Sequence, residues 1–566
     1  MLPLTMRATG LGRACASVLA RTWVPPVLAG IVFHLPALFC TFVYDDVSLV
    51  AEHPRLGSTS FLGELWQRDY GLEFAGEPRG FYRPLFMAMV WLLRNLCGAS
   101  PLAFHLFSLA VFSLAVYLVV RVAETFDRDG TRILPLLAGV LYAVHPARVE
   151  VVSLVMSLPD LLVECGTLGM VLLLARAAGA SSPSAPRLAL ACGGLALAAA
   201  LCKESTFFLV PAVVLTAALH AARTPGTARR IILPAAAAAL AGLGAALLLR
   251  GAAHVQAPVP LTATARSLLF GGRAADTLLG LLLAARDVVV PGPVVFWRTV
   301  YAAHIPGAAF LLALAALGFC GAWLCALRRN RLLPALLVAW LGAGAANLAL
   351  LFAAGYAYSQ RYLAFAPVAI LLCLLLRAAL DLLARRVPFP ACAAPGRCRT
   401  FAVLAVSAFL SAQGAFALAG SATCLTPLSF FLAMERASPA DVMPVGAVAQ
   451  TLNRVGTADE VEERVRRAAA LDPAHPQVPR LQNMLIQRYL AERRFEDARR
   501  CAAWARGMYP ADADKQALHA VALANLGRPD LARQEVEAIL AKHPDHAGAR
   551  QLRDQILARE GKGGTP

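Results

Sequence analysis

Two carboxylates stand side by side at Asp45-Asp46, directly after an apolar run that ends in Phe42-Val43-Tyr44. Ionisable groups beside a membrane-length segment are costly and default to function. An adjacent acidic pair suits a general base, one carboxylate taking a proton from an attacking hydroxyl. Further candidates fall at the ends of later apolar blocks: Tyr82 and Arg83, His105, His145 and Glu150, Asp160, Lys203 and Glu204, and Arg361 and Tyr362. Arg and Lys facing carboxylates across an apolar wall suit an anionic, lipid-linked substrate, the cations holding a phosphate. No set of these residues has metal-ligand spacing, although an acidic pair could bind a divalent ion as well as act as a base.

Each residue also has a plainer reading. Asp45-Asp46 could be a solvated turn at the membrane edge. Arg83 before Pro84 could anchor an interfacial helix, and His145-Pro146 could simply end one. His105 could be a hydrogen-bonded histidine within a span, and Lys203 could snorkel to the head groups. The sharper reading rests on all of them sharing one side of the membrane.

The elements that must position them are apolar. Of the 566 residues, 58% are hydrophobic and 15% charged, with a mean hydropathy of +0.61. Soluble chains average about 45–50% apolar and about 25% charged. The excess sits in blocks of bilayer-crossing length: 24–43, 102–120, 132–146, 159–175, 188–203, 205–222, 231–250, 306–326, 332–352, 363–383 and 400–420. Residues 24–43 follow Arg7, Arg13 and Arg21 and read as an uncleaved first span behind a cytoplasmic N-terminus, residues 1–23. From that start, every loop predicted inside is basic: Arg121, Arg128 and Arg132; Arg176 and Arg187; Arg223, Arg229 and Arg230; Arg328, Arg329 and Arg331; Arg385, Arg386, Arg397 and Arg399. Segments 276–297 and 84–96 read as re-entrant or interfacial pieces on the outer side. The net charge of +17, from 52 basic and 35 acidic residues, is thereby largely a topology signal, and no nucleic-acid partner is expected. Most of the 13 cysteines, such as Cys40, Cys165, Cys192, Cys202, Cys320 and Cys373, fall within or beside apolar blocks and read as small buried hydrophobes.

An odd span count puts the acidic loop 44–83 and the chain after residue 420 on the same, outer side. Past a linker at 421–440, residues 441–558 show a repeat of about 34 residues, the tetratricopeptide period, before a flexible tail at 559–566. Arg493, Phe495, Ala498, Ala505 and Pro510 take the small, aromatic and proline positions of one unit, and Gly527, Ala532 and Pro544 recur in the next. A weaker first unit ends at Leu471-Asp472-Pro473. The alternative is an ordinary helical bundle.

Together the motifs Phe42-Val43-Tyr44-Asp45-Asp46, Tyr82-Arg83-Pro84-Leu85, Phe104-His105-Leu106, Val144-His145-Pro146 with Glu150, Pro159-Asp160-Leu161-Leu162, Cys202-Lys203-Glu204 and Arg361-Tyr362-Leu363 occur in a characteristic order. In this order the chain resembles the transmembrane and tetratricopeptide repeat-containing O-mannosyltransferases of the GT-C class. The resemblance implies an all-α GT-C-type membrane domain of about eleven transmembrane helices with a repeat domain behind it. It implies inverting transfer of a sugar, mannose in that family, from a polyprenyl-phosphate donor to a hydroxyl, expected on protein Ser or Thr, at the outer membrane face. Asp45 and Asp46 map to the acidic pair that supplies the base. The chain departs from the family pattern at Ala147-Arg148-Val149-Glu150, where a Thr commonly precedes the Glu, and at Leu158-Pro159-Asp160, where the family has Arg-Ala-Asp. Its repeat array is also shorter than in the animal members. The Ala-, Gly- and Arg-rich composition suggests a bacterial inner membrane with the repeats in the periplasm; in a eukaryote the repeats would be luminal. The donor is a substrate, and no cofactor is called for. The expected partners are membrane lipid, the polyprenyl-phosphate sugar, and a protein met through the repeat domain. Two other classes compete: a membrane scaffold whose repeats recruit an envelope protein, and a transporter, which would show inverted repeats and midplane charges that this sequence lacks.

Overall fold

The computed structural model describes residues 21–74, 80–127, 130–177, 184–223, 226–255, 273–299, 308–329, 331–353, 359, 365–386 and 395–562. It divides into a membrane unit, Met1–Thr426, and a second unit, Pro427–Pro566. A backbone in lipid must satisfy its own hydrogen bonds, so the Ala-, Leu- and Val-rich blocks close into helices. No strand forms among the described residues.

Each expected span overlaps a helix among the described residues. Among the described residues, seven helices are long and apolar enough to cross a membrane: Pro101–Glu124, Val155–Ala177, Thr206–Arg223, Arg229–Ala252, Ala308–Arg328, Leu332–Phe352 and Val403–Thr423. Val24–Phe39, Ala185–Ala200 and Ala366–Ala378 are shorter apolar helices. The membrane unit is therefore all-α and polytopic. Close packing depends on small residues. At Gly242 an added Cβ would meet the Gly193 carbonyl oxygen at 2.4 Å, so these two glycines set the approach of helices Ala185–Ala200 and Thr227–Ala252.

Three boundaries differ from the expectation. The span expected to end at His145-Pro146 bends there by 61° and continues as Pro146–Ser153. Pro146 lacks an N–H and pushes His145 into extended backbone, while Val149, Val151 and Val152 beyond it are apolar enough to stay buried. The expected linker 421–440 is largely helical: Pro395–Thr423 extends into it, and Pro427–Ala437 packs within the second unit. The last helix runs on to Lys562, through half of the expected tail. Segment 276–297 opens as the helix Arg273–Val289 and continues as irregular chain.

The second unit is built of antiparallel helix pairs, Val442–Val455 with Ala458–Leu471, Gln477–Ala491 with Phe495–Met508, and Ala513–Asn525 with Pro529–Lys542, closed by Ala547–Lys562. Ala498, Ala505 and Ala532, predicted as close-contact positions, are fully buried. Arg493 and Gly527 occupy the same place in successive pairs, and both have left-handed backbone, φ +58° and +71°. After each, the next N–H turns back: Arg494 bonds Tyr489 O at 2.9 Å and Arg528 bonds Leu523 O at 3.0 Å.

Candidate active site

The segment between the first helix and the acidic pair is tied down on both sides. The Thr41 hydroxyl donates to Leu425 O at 3.3 Å. Tyr44 has φ +55°, a conformation a side chain of that size adopts at a cost, and a π-helix, Val47–Ala51, comes directly after the pair. Left-handed non-glycine residues and π-turns gather at functional sites. Here the contorted backbone sends the two carboxylates into different environments. Asp46 is fully buried, and its oxygens accept the N–H groups of Val155 at 2.8 Å and Met156 at 2.7 Å. These are free donors at a helix N-terminus, where a negative charge is also favoured by the helix dipole. Asp45 is only partly buried. Asp46 thereby anchors the loop, and Asp45 beside it keeps part of its surface exposed.

One turn further along the helix that Asp46 caps, about 6 Å at the usual rise, Asp160 accepts from Lys203 Nζ at 2.5 Å. Its second oxygen, Oδ2, is buried without a hydrogen-bond partner. The neighbouring residue of Lys203, Glu204, accepts from Arg83 Nε at 3.0 Å and Nη2 at 2.8 Å, and from the Tyr82 N–H at 2.9 Å. The Arg83 guanidinium lies over the rings of Tyr70 and Phe81, 4.8 and 4.7 Å from their centroids. Burial opposes its charge, but Glu204, Tyr70 and Asp160 outweigh that and hold Arg83 above its ordinary range. The Tyr82 hydroxyl donates to Trp66 O at 3.1 Å, and burial raises its pKa. Asp160, Lys203, Glu204, Arg83 and Tyr82 are thus linked through their hydrogen bonds, and Asp46 joins them through the start of the Asp160 helix. Each cation already holds a carboxylate, so a phosphate would share them rather than fill an empty receptor.

The supporting loop has an organiser that gave no signal in the sequence. Asp69 accepts from the N–H groups of Gly71 at 2.6 Å, Gly80 at 2.5 Å and Phe81 at 3.3 Å, closing the chain that delivers Arg83. Trp91 and Asn95, on the helix Pro84–Cys97, donate to Ser58 O and Leu56 O at 2.9 and 2.8 Å, roofing the acidic loop.

The remaining candidates are more interior. His105 is fully buried beside Phe42. His145 accepts the Ala147 N–H at Nδ1, 3.1 Å, and its Nε2 meets Val288 O at 3.2 Å, which places it at the helix bend. Glu150, also buried, accepts from the Ser359 hydroxyl. Arg361 and Tyr362 lie outside the described residues. A second network is hidden in the sequence because its members sit in apolar runs: Glu164 accepts from the Tyr142 hydroxyl at 2.6 Å, Arg148 Nη1 at 3.0 Å and the Ala366 N–H at 3.0 Å. It joins the bent helix, the Asp160 helix and the helix Phe365–Arg386. Among the described residues, no three His, Cys, Asp or Glu side chains gather as metal ligands would.

A polytopic helical unit, a strained acidic loop capping a span, and paired cations beside it define a membrane protein with a candidate site at the ends of its helices. Comparison with known proteins agrees with the resemblance its motifs carry. The chain is similar to the protein O-mannosyl-transferase TMTC3 of Homo sapiens, 30% identical over 128 residues, which is 22% of this chain and 14% of that protein. It is similar to Tmtc2 of Drosophila melanogaster, 33% identical over 138 residues, 23% of this chain and 14% of that one. It also matches TMTC4 of Mus musculus, 29% identical over 160 residues, 25% and 22% respectively. The chain thus spans less than a quarter of the length of each of these relatives. No family model matches it. Among solved structures, the Archaeoglobus fulgidus oligosaccharyltransferase in the apo form aligns with 70% of this chain and 56% of its own, at a TM-score of 0.37 and 14% identity.

Proposed function

We propose that the membrane unit is an inverting glycosyltransferase that moves a sugar from a polyprenyl-phosphate donor to a hydroxyl at the outer membrane face. The observation that carries this reading is the division of labour in the acidic pair: Asp46 is fixed on the N–H groups of Val155 and Met156, and Asp45 is left partly exposed beside it. Asp45 takes the proton of the acceptor hydroxyl as its oxygen attacks the anomeric carbon. The bond from that carbon to the phosphate oxygen breaks, and polyprenyl phosphate leaves with the bonding pair. Attack from the face opposite the leaving group inverts the anomeric centre. Arg83 and Lys203, shared between carboxylate and phosphate, stabilise the charge on the leaving group. The relatives' names support mannose as the sugar and a protein hydroxyl as the acceptor.

The test supplies purified protein in nanodiscs with polyprenyl-phosphate mannose and a Ser/Thr-rich peptide, and follows glycopeptide by mass. Transfer by the wild type and its loss in Asp45→Asn is the expected result. Undiminished transfer by the Asp45→Asn, Asp46→Asn double variant would overturn the assignment. One observation favours a second reading, a scaffold without catalysis: both Arg83 and Lys203 are neutralised by carboxylates. Failure of the wild type to transfer or bind any polyprenyl-phosphate sugar would select it.

A further inference from the structure

Cys40 and Cys424 lie at opposite ends of the membrane unit's sequence and meet in its structure. Cys40 comes after the first apolar helix, where its N–H bonds Ala37 O at 3.1 Å. Cys424 comes after the last one, Pro395–Thr423. Both are buried, at 2% and 0% exposure. The Cys40 thiol donates to Ser421 O at 3.5 Å, and the Cys424 N–H donates to that same oxygen at 3.1 Å. One residue on, Thr41 bonds Leu425 O, so the two segments run in contact over several residues. The Cys424 thiol lies at the carbonyl next to the one Cys40 contacts, 3.9 Å from Gly420 O.

We propose that Cys40 and Cys424 are a disulfide site, which staples the segment leading to Asp45 onto the end of the last apolar helix. The oxidant is the disulfide of a thiol–disulfide oxidoreductase in the compartment the site faces. One cysteine thiolate attacks that disulfide, forming a mixed disulfide and releasing one oxidoreductase thiolate. The second cysteine displaces the other. Two thiols of this chain are oxidised, one disulfide is reduced to two thiols, and the two protons pass to the released sulfurs. Contact with one shared carbonyl brings the two residues together, and closing the bond requires about 4.4–6.8 Å between their α-carbons. Burial means the bond forms as the chain folds and is shielded from reductants afterwards. The proposal rests on the functional reading only in placing this end of the unit on the outer, oxidising side.

The full chain from its native membrane is denatured in the presence of N-ethylmaleimide, digested without reductant and mapped by mass. A parallel sample is first treated with diamide, which takes up the two electrons and two protons itself. A peptide linking Cys40 to Cys424 is expected, with two of the 13 cysteines protected from alkylation until reduced, and with the link lost in Cys424→Ser. Linkage in either sample supports the site. Alkylation of both residues in both samples, or linkage of either to a different cysteine, overturns it. The readout is a mass and needs no turnover, so it stands or falls apart from the transfer assay. It is also made on the wild type, so a folding defect in a variant cannot mask it.

Discussion

Arg83 and Glu204 meet through two nitrogens on one oxygen, Nε at 3.0 Å and Nη2 at 2.8 Å from Oε2, with the guanidinium carbon over the rings of Tyr70 and Phe81. A lysine keeps the charge but neither the fork nor the flat face. Arg83→Lys is therefore expected to weaken donor-lipid binding at least several-fold while the protein stays folded. Glu204→Gln, which frees the guanidinium, should weaken it less. Equal donor binding by wild type and Arg83→Lys in a lipid-overlay or fluorescence titration would place the phosphate elsewhere.

The acidic pair predicts two different phenotypes. Asp45→Asn removes a base and should cost about 10²–10⁴-fold in transfer rate with little change in thermal midpoint. Asp46→Asn keeps one acceptor oxygen for Val155 or Met156 but not both, so it should lower the midpoint as well as the rate. Removing a cap of this kind costs about 1 kcal/mol. Matching midpoints for both variants would show that Asp46 has no anchoring role.

Arg493 sits where the neighbouring repeat uses Gly527. Left-handed backbone costs a side-chain-bearing residue about 1–2 kcal/mol. Arg493→Gly should therefore raise the urea midpoint of the repeat unit, and Gly527→Ala should lower it. Opposite signs in chemical denaturation would sink the equivalence of the two turns.

The repeat unit should lose stability in acid, with Glu535 contributing. Burial alone would raise this carboxyl. Hydrogen bonding and attraction from His519, at 2.8 Å, and Arg506, at 2.7 Å, outweigh it and hold Glu535 below its usual value. A carboxylate depressed on folding stabilises fully above its unfolded pKa, about 4.3, and that stabilisation disappears as pH falls through the lower folded value. Melting residues 427–566 between pH 7 and pH 3 should show the decline, and Glu535→Gln should flatten part of it.

Orientation can be read with single cysteines in a background stripped of the others. Ser58 is exposed in the acidic loop. Arg528 serves for the repeats, because its neighbour Gly527 is left-handed and would be strained by any side chain. An impermeant maleimide should label Ser58→Cys and Arg528→Cys from the same, outer side. Labelling from opposite sides would mean the span count is off by one.

Much of the fold was legible because lipid imposes one solution on apolar runs of the right length. Pro146 shows the limit: its ring signals an end, yet it makes a bend, since the residues after it are apolar and find a buried place. The site was legible as a set of residues and not as a set of partnerships. Asp45 and Asp46 look alike in sequence; what separates them is a pair of backbone N–H groups at Val155 and Met156, more than a hundred residues away. Arg83 and Lys203 were matched to a phosphate, whereas folding brings each a carboxylate first. Glu164 gave no signal, being a lone acid in an apolar run whose partners Tyr142, Arg148 and Ala366 come from other segments of the chain. Cys40 and Cys424 were invisible as a pair for the same reason of distance.

The bonds from Asp46 to Val155 and Met156, and from Cys40 and Thr41 to Ser421 and Leu425, have a consequence for building hybrids of this protein. The acidic segment is a third of a three-part graft. Transplanted alone into a relative's scaffold, residues 40–51 would arrive without the helix start that seats Asp46 or the chain end that seats Thr41. Exchanged together with residues 149–160 and 420–426, they bring their own seating, and the loop can then be moved as one cassette without rebuilding the spans between.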